Sequence, residues 1–155
     1  MEDPKYRSLM DYAFRALARR MHTSMELREK LRKRPHHSKE QEDLILTRLG
    51  ELKLIDDEAF LKRHIENAQH SRHEGYLKTA FKLKLKGIPM DETKRHWKET
   101  GVDETEIARA ALAKIQKKLE KIPAQKRYSR QAGYLASRGF SSDTIYKILS
   151  HFEDR

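Results

Sequence analysis

The chain has 155 residues, of which 37% are apolar and 37% charged, with no cysteine and a formal net charge of +10. Disulfides and thiolate metal sites are therefore excluded, and a reducing compartment suits the chain. No uncharged run exceeds Gln131–Ser137, too short to cross a bilayer, and the start MEDPKYRS lacks the apolar stretch of a secretory signal, so a cytoplasmic protein is expected.

So polar a composition favours an elongated helical assembly over a ball with a thick centre. Six Gly, four Pro and the lack of any low-complexity tract argue against an all-β fold and against wholesale disorder. The charge is segregated. Residues 5–39 carry +8 and residues 106–140 carry +7, while residues 40–75 between them carry −4. Two basic ends around an acidic span suggest contact with a polyanion, an acidic protein surface, or both.

In chain order, Met10, Ala13, Phe14, Leu17 and Met21 fall at three- and four-residue steps and predict the buried face of a first helix. Thr23 and Glu26 have capping-box spacing and open a second, with Leu27 and Leu31 inward. The outward residues here are mostly basic: Arg15, Arg19, Arg20, Arg28, Lys30, Arg32, Lys33 and Arg34. Pro35-His36-His37 breaks the pattern. Ser38 then caps a third helix with Ile45, Leu49 and Leu52 inward.

Leu54-Ile55-Asp56-Asp57 turns into a fourth helix that buries Phe60 or Leu61, Ile65 and Ala68. Gly75 interrupts it. Leu77, Phe81 and Leu85 form a four-step stripe, so the alternating FKLKLK of residues 81–86 is read as helix rather than strand. Gly87 and Pro89 stop it. Met90, Thr93 or Lys94, and Trp97 outline a sixth helix that closes near Gly101. Asp103 and Glu106 open a seventh with Ile107, Ala111, Ile115, Leu119 and Ile122 inward, and Pro123 ends it. Tyr128, Ala132 and Leu135 lead an eighth to Arg138-Gly139-Phe140. Ser142 or Ser141 opens the last, with Ile145, Ile148, Leu149 and Phe152 buried.

These nine segments repeat. Leu31, Leu83 and Leu135 stand 52 residues apart, as do Arg34, Lys86 and Arg138 before each break, and Ile45, Trp97 and Leu149 after it. The expected fold is all-α: three tandem three-helix units over residues 1–53, 54–101 and 102–155, each too small to be stable alone.

Catalytic chemistry is not evident. His70 and His73 with Glu74 lack a second pair at ligand spacing, and Arg72 beside them repels a dication. Asp56, Asp57 and Glu58 could be imagined as nuclease carboxylates, but at a helix start they are better read as caps and dipole partners. No phosphate-binding glycine loop or nucleophile elbow is present. Trp97, at an apolar helical position, reads as core. Tyr128 and Tyr134, interleaved with Lys126, Arg127, Arg130 and Arg138, are read equally as packing or as platforms for single-stranded bases.

Four stretches stand out together: Ala13-x-Arg15-x-Leu17-Ala18-x-Arg20 with Glu26-Leu27-Arg28-x-Lys30-Leu31, Leu54-Ile55-Asp56-Asp57-x-x-Phe60, Leu85-Lys86-Gly87-Ile88, and Lys126-x-x-x-Arg130 through Phe140. In this order they resemble the RecX family, bacterial regulators of the RecA recombinase. Lys78-Thr79-x-x-Lys82-Leu83 departs from the family's Arg-Ile-x-x-Glu-Leu, and Pro35 stands where a glycine turn is expected.

The resemblance implies three tandem three-helix units in an elongated curved rod, with no catalysis and no cofactor. It implies a monomer that binds the RecA filament on single-stranded DNA, inhibits its ATPase and strand exchange, and limits the SOS response in DNA repair by homologous recombination. The expected contact residues are Arg15, Arg19, Arg20, Arg28, Lys30, Arg32, Lys33, Lys82, Lys86, Lys126, Arg127, Arg130 and Arg138, with no metal site. A stand-alone basic helical nucleic-acid-binding protein is the alternative.

Overall fold

A computed structural model describes residues 3–153, with side chains described as far as Ser150. The described residues are all-helical: α1 (Pro4–Arg19), α2 (Ser24–Arg32), α3 (Lys39–Glu51), α4 (Asp57–Asn67), α5 (Tyr76–Leu85), α6 (Met90–Glu99), α7 (Glu104–Glu120), α8 (Ala124–Ser137) and α9 (Ser142–Glu153). A π-helical turn, Ala68–Arg72, continues α4 and ends at His73 with φ +51°.

The helix starts follow local chemistry. The Thr23 hydroxyl accepts from the Glu26 amide at 3.1 Å while Glu26 accepts from the Thr23 amide at 3.2 Å, the reciprocal capping box. Ser38 accepts from the Gln41 amide, Asp103 from that of Thr105, and Ser141, rather than Ser142, from that of Thr144. Asp56 caps α4 through the Ala59 amide at 3.0 Å. Asp57 does something else: its two oxygens accept from the Ser24 amide at 2.8 Å and the Ser24 hydroxyl at 2.6 Å, so it caps α2 from a distance in sequence.

The chain divides into two compact units. The first comprises residues 1–61 and 86–88, and Leu9, Met10, Ala13, Ala16, Leu27, Leu31, Ile45, Leu49 and Ile55 form its core. The second comprises residues 62–85 and 89–155. There α7, α8 and α9 pack on one another and α5 packs on α6, with Trp97 edge-on to Tyr76 at a ring separation of 5.8 Å.

The 52-residue register holds in the packing. Leu31, Leu83 and Leu135 are all fully buried, and Ile45, Trp97 and Leu149 are buried too. The register also carries a hydrogen bond onto the carbonyl before the turn glycine, found once in each compact unit. In the first, the Thr23 hydroxyl donates to the Lys86 carbonyl at 2.6 Å. In the second, the Gly75 amide donates to the Arg138 carbonyl at 2.8 Å and the Leu77 amide to that of Gly139 at 3.1 Å. Thr23 and Gly75 are one step apart, as are Lys86 and Arg138, and Gly87 and Gly139 share φ near +90°. A Cβ on Gly139 would lie 2.5 Å from the Lys78 amide nitrogen, so glycine is required there.

Several expected inward positions face solvent. Phe14 lies at the edge of the α1 stripe and Met21 in the link after it; they are 40% and 39% exposed, while Leu9 and Ala16 are buried instead. Leu52 follows the end of α3, Met90 begins α6, and Tyr128 lies in the second turn of α8; all three are exposed. The largest correction is α5. Leu77, Phe81 and Leu85 are 54%, 61% and 64% exposed, and the inward face is Thr79, Ala80 and Leu83. Its start meets the Arg138–Gly139 turn backbone to backbone, and small inward side chains suit so close an approach. Both Phe60 and Leu61 are buried, Thr93 rather than Lys94 points inward, and Ile115, Ile122, Ala132 and Ile145 are half-buried. Phe152 lies outside the described side chains.

Candidate partner and nucleic-acid surface

A cation serves a partner only if the fold has not already used it. On α2, Arg28 and Arg32 both reach Glu42, a carboxylate with 1% of its side chain exposed; Arg32 stands 3.3 Å away and His37 also bonds to it. Arg28 meets Asp43 at 2.9 Å as well. Burial alone would push the Glu42 carboxyl up. The hydrogen bonds from His37, Arg28 and Arg32 outweigh it and hold the group below the usual carboxylate range.

Lys30 and Arg20 are also engaged. His22 Nδ1 faces the Arg20 carbonyl at 3.0 Å and so must donate, which leaves Nε2 to accept from Lys30 Nζ at 2.9 Å. Burial lowers the His22 pKa and favours this neutral ring. Arg20 pairs with Glu26 at 2.9 Å. By contrast Arg15, Arg19 and Lys33 are exposed and make no ion pair among the described residues.

The second compact unit repeats the division. Lys82 grips both oxygens of buried Glu74 at 3.0 and 3.1 Å, with Arg72 at 3.3 Å. Burial would raise that carboxyl, but the Lys82 hydrogen bond and neighbouring cations hold it below its usual range. Arg127 donates to the Leu119 and Ile122 carbonyls at 3.1 and 3.0 Å, satisfying the C-terminal end of α7. Arg138 donates to the Arg72 carbonyl and lies over the Tyr134 ring. In the first unit, Lys86 sits 5.2 Å over the Phe60 ring. Lys126 and Arg130, one turn apart on α8, are exposed with no such partner among the described residues.

Between α8 and α9 runs a groove of about 570 Å³, lined by Ala132, Gly133, Ala136, Ser129, Ser142 and Ile145, with Tyr128 and Tyr146 also lining it. The tyrosines are 45% and 69% exposed. Small side chains flanked by two accessible rings give room for flat ligands to stack. Tyr146 was not among the expected contact residues. Its signal in the sequence was its place one residue after Ile145, an expected inward position of α9.

Among the described residues no group of three or more His, Asp or Glu is placed to hold a metal ion, and Asp57 is committed to Ser24. No helix there is long and apolar enough to cross a membrane. Fold and surface together define an all-helical tandem-repeat protein; of the expected contact residues, the exposed cations without an ion pair among the described residues are Arg15 and Arg19 on α1, Lys33 just after α2, and Lys126 and Arg130 on α8.

Comparison with known proteins gives the family. Residues 10–42 match the first three-helix domain of RecX and residues 103–149 match its third. The Regulatory protein RecX of Chlorobaculum tepidum is 38% identical over 152 residues, covering 96% of this chain and 91% of that protein. That of Prosthecochloris aestuarii is 30% identical over 151 residues, covering 96% of each. The crystal structure of RecX from Lactobacillus salivarius superposes with a TM-score of 0.79 at 19% identity, covering 97% of this chain and 98% of that one, which speaks for the fold. The chain belongs to the RecX family, whose members carry the description of regulatory proteins.

Proposed function

We propose that this chain is a negative regulator of RecA recombinase. It binds the RecA filament on single-stranded DNA and inhibits its ATPase, strand exchange and SOS-promoting activity. The observation that carries the reading is the relation, over nearly the whole chain, to proteins described as Regulatory protein RecX. The surface is compatible with it. Of the expected contact residues, Arg15, Arg19, Lys33, Lys126 and Arg130 are left for a polyanionic partner, and they help steer the encounter. Arg20, Arg28, Lys30, Arg32, Lys82, Lys86, Arg127 and Arg138 act by holding the helices that present them. The units suited to this role are residues 1–53, 54–101 and 102–155, acting as a monomer.

The Tyr128–Tyr146 groove favours a second reading, a stand-alone binder of single-stranded nucleic acid. Titrating the protein into RecA's single-strand-dependent ATPase separates the two. Substoichiometric inhibition at DNA in excess supports the regulator. Inhibition that appears only when the protein coats the DNA supports the plain binder.

A further inference from the structure

An apolar ridge runs along the outside of α5. Leu77, Phe81 and Leu85 occur every fourth residue, span about 12 Å of helix, and are each more than half exposed. Soluble proteins seldom leave such a row uncovered without a use for it. The 52-residue register makes the row peculiar to α5. The equivalent positions are Met25 and Glu29 on α2 with Lys33 at its end cap, and Ser129, Gly133 and Ser137 on α8. Packing on the inner side does not explain the ridge, because Thr79, Ala80 and Leu83 supply that face.

The borders of the ridge say what covers it. At 100° per residue, Lys84 flanks one side and Lys78 the other, and Lys82 beyond Lys78 is committed to Glu74. A second copy of this chain would bring these lysines together. Single-stranded bases would find one aromatic ring among three apolar side chains, since leucine offers no stacking face. A row of i, i+4 and i+8 side chains is the ridge by which one helix enters the groove of another.

We propose that the α5 ridge seats against an amphipathic helical surface of a protein partner, apolar at its centre and edged with carboxylates. The inference rests on the filament reading for the identity of that partner, but not for its chemistry. On this account α5 recognises protein while Lys126 and Arg130 face nucleic acid.

The test uses the full chain and its Leu77→Ser, Phe81→Ser double variant, whose substituted positions are exposed and whose urea midpoint should match the parent. Two helical peptides probe the chemistry without RecA: one with a leucine ridge flanked by Glu, and a twin flanked by Lys. The parent should bind the Glu-flanked peptide at least about ten-fold tighter than its twin, and the variant should lose that preference. Against RecA filaments on oligo(dT), the variant should bind about ten-fold more weakly while its affinity for naked oligo(dT) stays within about two-fold.

Equal loss on filament and naked DNA would make the ridge a nucleic-acid contact and overturn the proposal. So would parental self-association in sedimentation velocity that the substitutions abolish, or indifference to the peptide's flanking charge. Should the parent prefer the Glu-flanked peptide through the ridge yet ignore the filament, the docking surface stands and the RecA reading falls.

Discussion

Helices α2 and α8 open the second position of the first and last repeats, and in sequence both are densely basic. In the structure they differ. On α2, Arg28 and Arg32 converge on buried Glu42 and Lys30 on His22, so most of its cations are consumed in holding α2 to α3 and to the preceding link. On α8, Arg127 satisfies the end of α7, but Lys126 and Arg130 are exposed with no partner among the described residues. A positive charge counted in the sequence is therefore not a positive charge offered to a partner. The buried carboxylate opposite decides which it is.

The sharpest way to break this contrast is to strand that carboxylate. Arg28→Ala with Arg32→Ala leaves Glu42 buried with only His37, and should cost about 3–5 kcal/mol in urea unfolding. Glu42→Ala should cost less, on the order of 1–2 kcal/mol, because Arg28 and Arg32 reach solvent when released. If the double arginine variant were the milder one, α2's cations would be surface after all.

The turn after α8 gives the next effect. Gly139→Ala forces a side chain against the Lys78 backbone at φ +90°, and should cost on the order of 3 kcal/mol from strain and overpacking together. Gly101→Ala shares the positive φ but meets open space, so about 1 kcal/mol of backbone strain is expected. Equal losses would mean that the close approach to Lys78 contributes nothing.

Acid titration sharpens the comparison further. Glu42 and Glu74 have folded values below the carboxylate range, so their stabilisation is complete above that range and is lost as pH falls through the depressed values. Glu104 is the opposite case. Burial raises it, with the Ser141 and Tyr76 backbone acting weakly the other way and one carboxylate oxygen left without a partner, so its contribution is present below the usual range and lost as pH rises through the raised value. Glu42→Gln should flatten the acid limb of a melting-temperature profile, and Glu104→Gln should remove loss on the higher-pH side.

Features governed by neighbours in sequence were legible there. The Thr23–Glu26 box is a local hydrogen-bond pattern, and Leu31, Leu83 and Leu135 recur because each unit needs one fully buried leucine at the same place. The resemblance to RecX rested on such short stretches, and its all-helical repeat fold is the one found. The orientation of α5 was not legible. Its strongest four-step apolar row looked like core, yet close backbone approach at Gly75 and Gly139 suits an inward face of Thr79 and Ala80, which hydrophobicity ranks low. Asp57 likewise reads as its own helix's first-turn acid, and only the tertiary fold brings Ser24 to it. For the same reason the sequence offered α2 and α8 as equal cationic surfaces: Glu42 lies ten or more residues beyond the arginines it neutralises.

The measurement that decides between spent and available charge compares two double variants in one assay pair. Lys126→Ala with Arg130→Ala should leave the melting temperature unchanged and weaken inhibition of RecA's ATPase. It should also reduce the salt slope of single-stranded DNA binding by roughly one unit for each phosphate no longer neutralised. Arg28→Ala with Arg32→Ala should lower the melting temperature and, in the folded fraction, leave the salt slope intact. A reversed pattern, with α2 setting the slope and α8 the stability, would contradict this division of the charge.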